Sequence, residues 1–117
     1  MAAAPVVHFE IEGKDGNKLM EFYGELFEWK VDANNPMNYG MVDNGGNGIN
    51  GGIGTSQNGQ PWCGFYVSVP DCQAALDKAE SLGGKTIMPP MKMEGYGLTL
   101  AMFADPEGNQ VGLVTGM

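Results

Sequence analysis

The stretch "VVHFEIEGKDGNKLMEFYGELF" (residues 6–27) returns in altered form as "CGFYVSVPDCQAALDKAESLGG" (residues 63–84). Laid over each other, Phe9 falls on Phe65, Ile11 on Val67, Asp15 on Asp71, Met20 on Leu76 and Leu26 on Leu82. Each copy opens with side chains that alternate apolar and polar, the period of a strand. Each then carries an Asp whose carboxylate can accept the unpaired N–H groups of a first helical turn. A helical period follows. The first helix presents Leu19, Phe22, Tyr23, Leu26 and Phe27 as an apolar stripe. The second presents Ala75, Leu76, Ala79 and Leu82, with Lys78 and Glu80 on its polar side, and stops at Gly83-Gly84.

Strand-like segments follow each helix. In the first half they are "YGMVD" (39–43) and "GINGGIG" (48–54), joined by the turn "NGGN". In the second they are "KTIMPPMKM" (85–93), "GLTLAMFA" (97–104) and "NQVGLVT" (109–115). The last two flank Asp105-Pro106-Glu107-Gly108-Asn109, which is turn chemistry, so they read as a hairpin. The pattern is β-α-β-β written twice, with room for an extra strand before each hairpin. It predicts an α+β fold: two tandem βαβββ modules, curved mixed sheets around a cleft, and helices on the outer faces. The modules run about 5–58 and about 61–117, within a single domain, 1–117. Alternation turns Phe9, Ile11, Phe65, Val67, Val111 and Leu113 toward the helices. It turns His8, Glu10, Gly64, Tyr66, Ser68, Gly112 and Val114 toward the cleft.

Composition narrows the function. Six lysines, no arginine and fourteen acids give a formal net charge of −8. Without arginine there is no guanidinium fork for phosphate, and no basic patch exists to displace counterions from nucleic acid. The Gly-rich stretch from Gly45 to Gly59 has no glycine–lysine phosphate cradle. The field of the whole chain favours a cationic ligand, and it also favours solubility. No apolar run is long enough to cross a bilayer and no secretory signal opens the chain, so a cytoplasmic location is expected. Cys63 and Cys72 are too few for a disulfide framework and read as reduced structural thiols.

Taken together, "HFEI", "FYGELFEWKV", "GINGGIG" and "ADPEGNQVGL" resemble the glyoxalase / bleomycin-resistance / extradiol-dioxygenase superfamily, the vicinal oxygen chelate proteins. The resemblance covers essentially the whole chain. It implies paired βαβββ modules and a homodimer whose ligand cleft lies within or across chains. It also implies one divalent metal held from equivalent strands of the two modules. His8 sits where the family places a His ligand. The equivalent position in the second module is Gly64, the last-strand position is Gly112, and the matching first-module strand offers Asn50 or Gly52. Glu10 lies two residues on from His8, about 7 Å away along the same strand face. One imidazole and one carboxylate fall short of the three or four strong ligands that such an ion needs, so no metal and no cofactor is expected.

Three glycines on the cleft face, Gly52, Gly64 and Gly112, would leave the cavity wide and let a ligand approach the backbone. A Leu at Gly112 would then fill empty space and leave the fold intact. The expected ligand-binding set is His8, Glu10, Asn50, Gly52, Trp62, Gly64, Tyr66, Ser68, Tyr96 and Gly112, with His8 and Glu10 as the catalytic candidates. Met88, Met91, Met93 and Met102 cluster with Tyr96 in a segment read as core, dimer interface or a mobile rim. The resulting reading is a metal-free small-molecule-binding protein for a cationic or partly apolar ligand, such as a bleomycin-type antibiotic. The alternative is a metal-dependent lyase or isomerase of the lactoylglutathione lyase type. No nucleic acid or membrane partner is expected.

Overall fold

The computed structural model describes residues 3–117. Its elements are β1 (Val6–Gly13), α1 (Gly16–Phe27), β2 (Lys30–Asp32), β3 (Gly40–Asp43), β4 (Gly51–Thr55), β5 (Trp62–Ser68), α2 (Cys72–Ser81), β6 (Lys85–Met93), β7 (Leu98–Ala104) and β8 (Gln110–Thr115). This is βαβββ twice, the α+β architecture that the internal repeat predicts. The helix caps are the two aspartates. Asp15 accepts the Lys18 N–H at 3.2 Å, and Asp71 accepts the Ala74 N–H at 3.2 Å. Contacts divide the chain into two units, His8–Gly64 on one hand and Phe65–Met117 with the residues up to Val7 on the other.

In the unit His8–Gly64 the strands run β2-β3-β4-β1. β2 and β3 pair antiparallel, as do β3 and β4, while β1 and β4 pair parallel with Phe9 opposite Gly51 and Glu10 opposite Gly52. The crossover from β1 to β4 is what makes this pair parallel. Helix α1 meets β4 at its start, where the Gly16 N–H donates to Thr55 Oγ1, and reaches Phe9 of β1 through a cluster of rings around Trp29. Phe9 lies 5.2 Å from Trp29 between ring centroids, Phe27 5.0 Å and Tyr23 6.0 Å. The stripe on α1 is only partly covered: Phe22, Leu26 and Phe27 are 57%, 56% and 52% exposed. Periodicity marked that face correctly as apolar, and its Tyr23 and Phe27 rings meet Trp29, while Phe22 and Leu26 stay largely uncovered within the unit.

In the unit holding Phe65–Met117 the order is β5-β8-β7-β6. β5 and β8 are parallel, with Tyr66 opposite Gly112, and the two remaining pairs are antiparallel. The core is Cys72 and Leu76 of α2 against Ala101 and Leu113, flanked by Val67, Val69, Ala75 and Phe103. Val67 and Leu113 thus face the helix as alternation requires. Phe65 does not follow: it is exposed. Pro89 and Pro90 lie inside β6, where the register with β7 shifts, because proline has no N–H for the ladder. The methionine segment is therefore a paired hairpin strand, not a loop, and Tyr96 sits exposed in its turn, Met93–Gly97. The Asp105 turn forms as read. One carboxylate oxygen accepts the Glu107 and Asn109 N–H groups, each at 2.9 Å, and Gly108 takes the φ of +92° that the turn demands. Among the described residues no helix is long and apolar enough to cross a membrane.

Candidate functional site

The cluster richest in chemistry lies in the unit His8–Gly64 and is built from the face of β1 opposite Phe9 and the segment before β3. His8 and Glu10 are two residues apart on one strand, so their side chains leave the same face. The 7 Å offset expected between them closes in the folded chain: His8 Nε2 stands 3.5 Å from Glu10 Oε1. The closure comes from Tyr39. Its phenol donates a short hydrogen bond to Glu10 Oε1 and lies 2.8 Å from His8 Nε2. The His8 and Tyr39 rings stack at 20°. Only 12% of the His8 side chain and 8% of the Glu10 side chain is exposed.

Tyr39 is the residue that the sequence did not disclose, and its position is fixed at both ends. The backbone is clamped by Asn35, whose side chain accepts the Tyr39 N–H at 2.9 Å and donates to the Tyr39 carbonyl at 2.7 Å. The ring lies flat over Gly52 and Gly54. A Cβ at Gly52 would fall inside the Tyr39 hydroxyl, and one at Gly54 would meet the ring at 3.3 Å. The signal in the sequence is the density of glycine in "GINGGIG". A strand interior without side chains marks a place where something else lies on the sheet.

The same device recurs at the other two glycines, and it corrects the expectation of an open cavity. A Cβ on Gly64 would stand 2.5 Å from the Trp62 ring. A Cβ on Gly112 would stand 2.5 Å from the Tyr66 ring. Each missing side chain is replaced by an aromatic ring of the chain itself, so these positions are seats for rings and not voids. The remaining candidates have local partners. Asn50 Oδ1 accepts the Asn44 N–H at 3.1 Å and closes the β3–β4 turn. Ser68 Oγ donates to the Met117 carbonyl at 2.8 Å. Tyr96 is exposed in the β6–β7 turn of its own unit.

The directions of the hydrogen bonds in the cluster follow from the donor inventory. A carboxylate only accepts, so the single phenolic proton of Tyr39 points to Glu10. The phenol oxygen is then an acceptor toward His8, and His8 carries its proton on Nε2. Position 52 offers no donor atom, nor do positions 64 and 112 in their own units. Among the described residues no group of three or more His, Cys, Asp or Glu side chains is placed to hold a metal. This donor set does not fit a tightly held divalent ion.

Glu12, next on the same face of β1, completes the row. Burial raises its carboxyl to about 7, helped by a hydrogen bond from its side chain to Glu10 and by the nearby Glu10 charge. The consequence for stability has a definite sign. In the unfolded chain this carboxyl titrates near its ordinary 4.5, so between that value and about 7 the folded state holds a proton that the unfolded state has lost. The contribution is complete below about 4.5 and disappears as pH rises to about 7. Urea midpoints of the parent and of Glu12→Gln, measured at pH 5 and pH 8, should diverge with rising pH, the parent losing more. Parallel changes in the two proteins would contradict this.

The model of the Glyoxalase/Bleomycin resistance protein/Dioxygenase superfamily matches residues 6–113. The chain belongs to this superfamily. A member of it from Vibrio splendidus 12B01 has the same fold, with a TM-score of 0.67 at 13% identity, covering 97% of this chain and 99% of that one. Methylmalonyl-CoA epimerase from Mycobacterium tuberculosis superposes with a TM-score of 0.67 at 14% identity, over 100% of this chain and 93% of that one. At these identities the likeness is one of fold. Closer in sequence is the anthracycline biosynthesis protein DnrV of Streptomyces peucetius, 41% identical over 59 residues. That match takes in 49% of this chain and 21% of DnrV, so the superfamily member described here aligns with about a fifth of its curated relative.

Proposed function

We propose that this chain is a small-molecule-binding module that holds an organic cation at the Glu10 carboxylate without a metal ion. The observation that carries the reading is the closed His8–Tyr39–Glu10 network. It ties the His8 and Glu10 side chains to the Tyr39 phenol, and Glu10 is also hydrogen-bonded by the Glu12 side chain. A cation that reaches such a carboxylate gains a charge-assisted hydrogen bond, about twice as strong as a neutral one. The net charge of −8 draws cations toward the molecule from a distance. The ring of Tyr39 supplies partly apolar surface beside Glu10 for the body of such a ligand. The superfamily's bleomycin-resistance members and the match to an anthracycline biosynthesis protein agree with an amine-bearing antibiotic as the concrete ligand. Homodimerisation belongs to the same reading, since Phe22, Leu26 and Phe27 offer apolar surface for a second copy to cover.

Titration of a bleomycin and an amine-bearing anthracycline, in buffer containing EDTA, tests the proposal. Binding should survive the chelator. Glu10→Gln keeps an acceptor for Tyr39 but removes the charge, and it should weaken binding at least about tenfold, or about 1.4 kcal/mol. Binding that appears only after a divalent metal is added, or that ignores Glu10→Gln, would overturn it.

A further inference from the structure

Asn44, Asn47, Asn50 and Asn58, all in the unit His8–Gly64, each stand directly before a glycine. Such a pair carries its own reaction. The glycine nitrogen attacks the asparagine Cγ, so a C–N bond forms and the bond to Nδ2 breaks. The proton that the glycine nitrogen gives up leaves with Nδ2 as ammonia. Water then opens the cyclic imide at either carbonyl, giving aspartate or isoaspartate. Glycine favours the attack because it has no Cβ to block the approach. We propose that the fold confines this deamidation to Asn47 and Asn58 and shields Asn44 and Asn50.

The attack needs a glycine N–H free to lose its proton and an asparagine amide free to swing onto it. At Asn44 neither condition holds. The Gly45 N–H donates to Asp43 Oδ1 at 2.8 Å. The Asn44 amide is held at both ends: Oδ1 accepts the Gly46 and Asn47 N–H groups, each at 3.1 Å, and Nδ2 donates to the Ile49 carbonyl. Asn50 is shielded by the sheet. Its Oδ1 accepts the Asn44 N–H at 3.1 Å, and its carbonyl accepts the Phe9 N–H at 3.3 Å. Gly51 is the buried first residue of β4, between Phe9 of β1 and Val42 of β3, so its nitrogen lies inside the sheet.

Asn47 and Asn58 are exposed, outside any strand. Among the described residues neither the Gly48 nor the Gly59 N–H has a hydrogen-bond partner. Asn47 Nδ2 reaches the Asn44 carbonyl at 3.4 Å, longer than an ordinary hydrogen bond. Asn58 is tied through Oδ1 to the Gln60 N–H at 2.9 Å, which leaves Nδ2 free to depart. A Cβ on Gly59 would meet nothing within 4 Å. Turns with so few buried contacts flex at little cost. Each event turns a neutral amide into a carboxylate, so the chain drifts more negative than −8 as it ages.

The whole chain, incubated in mildly alkaline buffer and digested at intervals, gives a deamidation rate for each site by peptide mass spectrometry. Asn47 and Asn58 should react at least about tenfold faster than Asn44 and Asn50, which need local opening first. The same incubation in urea should bring the four rates within about threefold of one another, since the protecting bonds are gone. Native rates that are alike at all four sites would overturn the assignment. So would Asn47 or Asn58 staying as intact as Asn44. A lag at Asn44 and Asn50 that persists in urea would also overturn it, because the difference would then belong to the flanking residues and not to the fold.

Discussion

Gly52→Ala should lower stability by about 3 kcal/mol, near the low end of an overpacked contact at about 1–3 kcal/mol combined with a buried hydrogen bond to a carboxylate lost at about 1.5–3 kcal/mol. For a chain of this size that is a fall in melting temperature of about 12 °C. A single methyl on a strand is ordinarily close to neutral, so the size of the effect is diagnostic. The new Cβ would fall inside the Tyr39 hydroxyl, and the Asn35 clamp stops the backbone of Tyr39 from yielding. The ring has to leave the sheet, and Glu10 then loses the phenol's hydrogen bond. Calorimetry measures the loss, and a double mutant assigns it. With Tyr39→Ala already present, adding Gly52→Ala should cost little more, since the obstacle is gone. A Gly52→Ala protein that melts with the parent would show that the ring is not seated there.

Why was Tyr39 missed when so much else was legible? The repeat, the Asp15 and Asp71 caps and the Asp105 turn are all local, decided by residues within a few positions of one another. Periodicity and turn chemistry report such features directly. The Tyr39 contacts span 29 residues to Glu10 and 31 to His8, and no local pattern encodes them. "YGMVD" reads correctly as a strand start, yet nothing in it says over which face the first ring folds. The α1 stripe shows the same limit. Spacing identified an apolar face from Leu19 to Phe27, but what covers that face is a tertiary question, and Phe22, Leu26 and Phe27 remain over half exposed.

The glycines show a more specific failure. Reading Gly52, Gly64 and Gly112 as missing ligand side chains was a statement about those positions alone, and the residues there do lack donor atoms. Reading the same three as empty space required knowing what the neighbours do. In each case an aromatic ring lies across the glycine: Tyr39, Trp62 or Tyr66. Such pairs compensate a weak strand residue by covering its backbone. Which side chains stand at positions 52, 64 and 112 is a property of the sequence, whereas a cavity is a property of packing.

Gly112→Leu shows what that separation is worth, because the open-cavity reading makes it silent and the packed structure makes it severe. The backbone is no obstacle, since Gly112 has ordinary extended geometry in the middle of β8, between β5 and β7. The obstacle is Tyr66, its register partner on β5. A Cβ at position 112 would stand 2.8 Å from the Tyr66 Cγ and 2.5 Å from Cε2. Cγ is the first ring atom, so turning the ring about its own axis does not clear the space, and the whole side chain must swing away. Nor can β8 retreat, because the adjacent Leu113 is buried in the core against Cys72 and Leu76. We expect a loss of about 3 kcal/mol, at the upper end for overpacking, read as a lower urea midpoint. Tyr66→Ala combined with Gly112→Leu should recover much of it, since the leucine then fills the space that the ring vacates. A Gly112→Leu protein as stable as its parent would mean that Tyr66 does not lie on the glycine, and the open-cavity reading would return.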